Sequence, residues 1–206
     1  MSDNQDYDLI FNYIKNYYDE LVEKYQYNTK SLDYGKANSQ IKKFSQFKRF
    51  FPINNLSILD IGCGFGDFYR YSKENNLDIQ YQGFEINQSI INLAKKIDPS
   101  VNIINYNIIN DPIDQEPTHD ICIANGIFYL LGRDSRNIMI EIVKKMFSRS
   151  KKAVIFNSLS SWSSFKEPNE FYADPLDTIS WCREISPYII FNHDYMKHDF
   201  TICLKR

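Results

Sequence analysis

Apolar residues Ile10, Ile14, Tyr17, Leu21 and Tyr25 recur at steps of three and four from Asp8 to about Tyr25, the stripe of an amphipathic helix. A polar turn from Asn28 to Asp33 leads to a second stripe through Ile41, Phe44, Phe47 and Phe51, which ends near Pro52. The pattern then shortens. Ile58, Leu59 and Ile61 form a brief apolar run bounded by turn residues, as in a strand buried on both faces. Further strands are predicted at Ile79–Glu85, Val101–Tyr106, Asp120–Ala124 and Ala153–Phe156. The helical stripe Ile90, Leu93, Ala94, Ile97 lies between the second and third, and Ile138, Ile142, Met146 between the fourth and fifth. After a polar, aromatic loop from Asn157 to Asp174 come a helix, Leu176 to Ile185, and two strands, Tyr188–Phe191 and Phe200–Leu204.

Strand and helix signals alternating from Ile58 to Phe156 predict an α/β fold with a Rossmann-like, doubly wound parallel sheet. The helical crossover lets the sixth strand run parallel, and the short Asp194-to-Asp199 turn forces the seventh to return antiparallel. The expectation is therefore a seven-stranded sheet, mostly parallel, closed by an antiparallel strand. Residues 53–206 form that core, and residues 1–52 form an N-terminal helical cap over one edge. At 206 residues, with no repeat or linker, the chain suits one domain.

Composition narrows the function. Hydrophobic residues at 43% and charged residues at 24% are ordinary for a globular protein. The formal charge of −2 and the lack of a basic stripe argue against nucleic acid as partner. No apolar run approaches the ~20 residues of a membrane span, and Met1 to Asp8 has no hydrophobic signal core, so a cytoplasmic protein is expected. Cys63, Cys122, Cys182 and Cys203 lack metal-ligand spacing and read as buried thiols, with no metal site. Nothing in the sequence fixes an oligomeric state.

The chemistry concentrates after the first strand, in Leu59-Asp60-Ile61-Gly62-Cys63-Gly64-Phe65-Gly66. A strand, a glycine-rich turn and a helix N-terminus bring backbone close to a ligand. A dinucleotide fold wants G-x-G-x-x-G around a pyrophosphate. Here the spacing is G-x-G-x-G, and Asp60 would repel pyrophosphate while attracting an ammonium or sulfonium. Glu85 ends the second strand 19 residues past Gly66, near the ~20-residue interval at which such an acid meets ribose hydroxyls. Asn125 and Gly126 leave the fourth strand where an open α/β sheet faces its crevice. Phe128 and Tyr129 either shape that pocket or pack in the core.

The glycine motif resembles the first motif of class I S-adenosylmethionine-dependent methyltransferases, and the closing antiparallel hairpin is also similar to theirs. The resemblance spans nearly the whole chain. It implies S-adenosylmethionine as cofactor, held by Asp60, Gly62, Cys63, Gly64, Gly66, Glu85, Ile86, Asn125 and Gly126. It places Asn107 at the adenine, where the commoner residue is Asp, and gives Lys36, Ser39 or Gln40 the methionine carboxylate. Shorter segments (Phe156 to Ser160, Phe171 to Pro175, His193 to Tyr195) resemble a bacterial subgroup associated with sugar and surface-glycan modification. The expected reaction is O-methylation of a small polar metabolite or sugar. N-methylation and a non-catalytic S-adenosylmethionine-binding subunit are the alternatives; an NAD(P) enzyme conflicts with Asp60. No Asn/Asp-Pro-Pro-Tyr/Phe signature follows the fourth strand. Tyr129, Asn157, Ser158, Tyr172 and Tyr195 are the candidate acceptor-binding residues. A parallel sixth strand would make His193 the best-placed base for a hydroxyl acceptor.

Overall fold

The computed structural model describes residues 3–33, 37–111 and 118–206. Two helices, α1 (Asp3–Tyr25) and α2 (Ala37–Phe50), precede β1 (Leu56–Ile61), α3 (Asp67–Glu74), β2 (Ile79–Glu85), α4 (Gln88–Ile97) and β3 (Ile103–Asn105). Then follow β4 (His119–Ala124), α5 (Ser135–Arg149), β5 (Ser150–Leu159), α6 (Pro175–Ile185), β6 (Tyr188–Met196) and β7 (Asp199–Lys205). The seven strands form one sheet in the order β3-β2-β1-β4-β5-β7-β6. Neighbours from β3 through β5 pair parallel. β7 inserts between β5 and β6, antiparallel to both, so β6 shares β5's direction without touching it.

The strands alternate as a two-faced sheet demands. Leu59, Ile61, Cys122, Ala124, Val154, Phe156, Ile202 and Leu204 join the core beneath α5 and α6. The intervening Ile58, Ile121, Ile123, Ala153, Ile155 and Cys203 join the other core, with α3 and α4. All four cysteines are buried free thiols.

α2 packs on a face of the sheet and also reaches the edge strand β6, where Gln46 Oε1 accepts from Asn192 Nδ2 at 2.7 Å. Its Phe44 and Phe47 pack edge-on against Phe68 of α3, 5.3 and 5.5 Å between centroids, completing a face layer. α1 reaches both cores, with Phe11 and Ile14 in one and Val22 in the other. β5 and β6 also run longer than expected. The buried polar residues Ser150, Asn157 and Ser158 hid the ends of β5, and β6 carries His193, Asp194 and Tyr195 within the strand. A buried ion pair, Lys43 Nζ to Asp199 Oδ2 at 2.7 Å, joins α2 to β7. Among the described residues no helix is long and apolar enough to cross a membrane.

Asn87 fixes α1 over the sheet. Its Oδ1 accepts from Ile90 N at 3.0 Å, capping α4, while its Nδ2 donates to Lys15 O at 3.0 Å and Asp19 Oδ1 at 3.1 Å. Asn87→Ala should lose about 1–2 kcal/mol of stability in urea unfolding. Asn87→Asp keeps the cap but cannot donate to α1. It should expose the first helix to limited proteolysis with a smaller global loss; protection of α1 at the wild-type level in both variants would contradict this role.

Candidate functional site

The C-terminal ends of β1, β2 and β4 open onto a cleft of about 1010 Å³, counted out to open solvent. Its floor is the glycine turn. Gly62, Gly64 and Gly66 all take left-handed φ, at 65°, 57° and 76°. At Gly66 a side chain is excluded twice over, since a Cβ would also stand 2.7 Å from Val101 Cγ2. Gly66 lines neither cavity described here; it turns the chain into α3.

The turn spends its amides internally. Gly62 N and Cys63 N donate to Phe84 O at 2.8 and 3.1 Å, and Gly66 N donates to Cys63 O at 3.0 Å. Gly64 N donates to Glu85 Oε2 at 3.0 Å, and the other oxygen, Oε1, accepts from Asn87 N at 2.9 Å. A phosphate cradle requires amides free to donate, and these four are taken. Each Glu85 oxygen keeps capacity for a further hydrogen bond, as vicinal hydroxyls need. Burial raises the Glu85 carboxyl, against the pull of the backbone amides.

Asp60 corrects the electrostatic argument made from sequence. It lines the cleft but is only 3% exposed, and Tyr81 OH donates to its Oδ2 at 2.9 Å. Burial lifts its carboxyl to about 8, with Glu85 and Asp67 adding to the rise. At neutral pH it is mostly uncharged, so the occupied amides, more than a fixed charge, disfavour a pyrophosphate.

Cys63, Ile86, Asn107, Asn125, Gly126 and Gln40 also line this cleft. Asn107 Oδ1 accepts from Ile109 N at 2.9 Å, so the oxygen assigned to adenine also holds its own turn. Gln40 Nε2 donates to Asp67 Oδ2 at 3.0 Å. Lys36 lies outside the described residues. α1 supplies the apolar roof through Phe11, Ile14 and Tyr18, which the sequence reading did not assign to the site.

A second cavity of about 620 Å³ adjoins the first, sharing Leu32, Gly126 and Tyr129 with it. Of the five expected acceptor residues, Tyr129 and Ser158 line it. Asn157 lies beneath: fully buried, it accepts from Gly126 N at 2.8 Å and donates to Asn125 Oδ1, holding the loop after β4 in place. Tyr172 pairs with Glu170 and Glu167 N, and Tyr195 with Asp199 and Thr201; neither lines either cavity. Nor does His193, whose Nε2 lies 2.8 Å from Ser160 Oγ while its ring packs by Trp162 and Phe200. The parallel course of β6 is as expected, but the long β6–β7 hairpin carries the cavity wall on to Met196 and His198.

The sequence reading missed Asp33, Lys43 and Glu170 on this wall. Lys43 had a signal: Gln40, Lys43 and Gln46 recur every third residue on α2, and all three are buried beside the aromatic stripe. Asp33 had none beyond its turn. It accepts at Oδ2 from Tyr17 OH at 2.8 Å and Tyr129 OH at 3.1 Å, and Tyr129 OH lies 2.8 Å from Tyr18 OH. Burial and the Asp33 charge push all three phenols up, which keeps them protonated donors.

No family model matches the chain. Over 159 residues it is 28% identical to the Mycobacterium tuberculosis protein Rv1506c, provisionally named a methyltransferase, covering 73% of this chain and 93% of that one. Among solved structures it is similar to magnesium protoporphyrin IX methyltransferase from Synechocystis, bound to S-adenosylhomocysteine. That match has TM-score 0.67 and 9% identity, over 98% of this chain and 99% of that one. It is also similar to a phosphoethanolamine N-methyltransferase of Haemonchus contortus, with TM-score 0.71 and 13% identity, over 97% of this chain and about half (49%) of that one. The chain has the fold of the class I S-adenosylmethionine-dependent methyltransferases.

Proposed function

We propose that this protein is an S-adenosylmethionine-dependent methyltransferase that O-methylates a small polar metabolite or sugar. The observation that carries the reading is the pairing of two cavities across Gly126 and Tyr129. One is floored by a glycine turn whose amides are spent and whose Glu85 is anchored at both oxygens. The other is more polar in its lining. The provisional name of the mycobacterial relative and the cofactor-bound fold neighbours support the activity.

When bound, S-adenosylmethionine supplies a methyl group already activated on a sulfonium. In this reading Glu85 would hold the ribose, Ile86 and Asn107 would line the adenine pocket, and Asp60 with the Gly62–Gly64 turn would face the methionine end. The chain's main task is then orientation, because in-line placement of the reactants supplies much of the acceleration. Tyr129 and Ser158 would position the acceptor from the second cavity. Asn157 acts indirectly by fixing Asn125 and Gly126 between the two. A hydroxyl acceptor must lose a proton, and His198 stands on the acceptor wall where His193 does not.

Calorimetry should show S-adenosylhomocysteine binding and no binding of NAD. Loss of the first, or gain of the second, overturns the cofactor assignment. Radiolabelled methyl transfer to a panel of polar metabolites and sugars separates an enzyme from a binding subunit.

Asp60 gives a pH test with a defined sign. As pH rises through about 8 the carboxyl ionises, so affinity for cationic S-adenosylmethionine should rise relative to the neutral S-adenosylhomocysteine. Asp60→Asn should flatten that ratio. Folded-state protonation also means wild-type stability falls as pH climbs from the unfolded value near ~3.9 to about 8. The melting temperature of Asp60→Asn should therefore gain on wild type across that window and level off above it.

A further inference from the structure

The second cavity has an unusual balance of charge. Among the described residues its lining carries two carboxylates, Asp33 and Glu170, and one ammonium, Lys43. That ammonium is already matched: Lys43 Nζ lies 2.7 Å from Asp199 Oδ2, and both side chains are almost completely buried. Among the described residues only phenols donate to the Asp33 and Glu170 side chains, Tyr17 and Tyr129 to the first and Tyr172 to the second. Phenols stabilise a carboxylate without neutralising it. The two carboxylates also act on one place, since both raise the phenol of Tyr17.

A second observation points to a ligand independently. Ser158 is 3% exposed, lines this cavity, and its Oγ has no hydrogen-bond partner. Buried hydroxyls are nearly always satisfied, and an unsatisfied one costs free energy that a ligand's polar group would recover. The neighbouring β5 side chain Asn157, by contrast, is satisfied at both ends.

Resting on the methyltransferase reading above, we infer that the second cavity selects an acceptor bearing an ammonium group on a hydroxylated skeleton, an amino sugar or amino alcohol. Asp33 and Glu170 meet the charge, and Ser158 Oγ meets a hydroxyl. An acceptor carrying phosphate or carboxylate would face both carboxylates, and beside the already paired Lys43 the described lining offers it only the imidazole of His198. The ammonium is the recognition handle; the methylated atom is a separate matter, set by what reaches Gly126 and Tyr129.

A charge ladder on one six-carbon skeleton tests this: glucamine, sorbitol and gluconate, which are cationic, neutral and anionic at about pH 7.5. Met196 lines the cavity and is one of four methionines, so a ¹³C-methyl label assigned with Met196→Leu reports occupancy. Titrations are run on the full chain with and without S-adenosylhomocysteine. Glucamine should half-saturate the Met196 shift at a concentration at least about tenfold below sorbitol, and gluconate should bind more weakly still. Glu170→Gln, a change on a surface loop, should narrow the glucamine-to-sorbitol gap. Ser158→Ala should weaken glucamine and sorbitol alike and leave their ratio unchanged. Gluconate binding as tightly as glucamine, an unchanged gap in Glu170→Gln, or no Met196 shift with any of the three overturns the inference. If S-adenosylhomocysteine binds while the ladder fails, only the acceptor class is wrong. If S-adenosylhomocysteine itself does not bind, the cofactor reading fails, and the ladder without it still judges the cavity's preference for charge.

Discussion

The carboxylate of Glu85 holds the site together by accepting from two segments at once, the glycine turn through Gly64 N and the start of α4 through Asn87 N. Removing it would strand two buried backbone donors, each costing about 1–3 kcal/mol, before any ligand were considered. The same carboxylate that would meet a sugar's hydroxyls thus also sets the shape of the turn beneath it. Recognition and folding are not separable at this position. Asn87 extends the linkage, since its side chain caps α4 and reaches α1, so the roof of the cleft is keyed to its floor.

The boundary between the two cavities is built from neutral phenols and one exposed carboxylate. Tyr18 on α1, Tyr129 after β4 and Asp33 before α2 are far apart in sequence yet form one hydrogen-bonded chain. Because the phenols stay protonated, Asp33 can accept from Tyr17 and Tyr129 together, and the turn ending at Asp33 is drawn down against Tyr129. Both cavities therefore depend on the position of α1. A change in the roof over the cleft would be felt in the second cavity through Tyr17 and Asp33 as well as through Tyr129.

Most of the architecture was legible because hydrophobic periodicity reports burial directly. Ile58 through Ile61, the alternation of β2 and the stripe of α4 are found where the pattern puts them. The cleft was legible for the same reason that the fold was, since strand ends in an open α/β sheet converge on one edge. The wall of the second cavity was not. Asn157 and Ser158 stand side by side on one strand, and alternation sends one into the scaffold and the other to the cavity. Choosing between them needs the register against β7, which a single sequence does not contain. Tyr195 and Tyr172 look equally available in sequence, and each is committed to a nearby carboxylate, Asp199 or Glu170, a few residues away.

Asp60 and Asp199 show two ways to bury a carboxyl, and the contrast bears on what the cleft is for. Asp199 is fully buried with Lys43 at 2.7 Å, so its counter-charge is part of the fold. Asp60 is buried almost as deeply, yet only the Tyr81 hydroxyl opposes its desolvation, while Glu85 and Asp67 add to the strain on its charge. Leaving a carboxyl so placed costs stability wherever it must ionise. A cation that enters the cleft and pulls the carboxyl back into its charged state would recover that cost as binding free energy. A neutral ligand would not. In the proposed reading, the burial that stops Asp60 from acting as a fixed negative charge would give the site a way to tell a sulfonium from its spent thioether, tight for the one and looser for the other, without any change of shape.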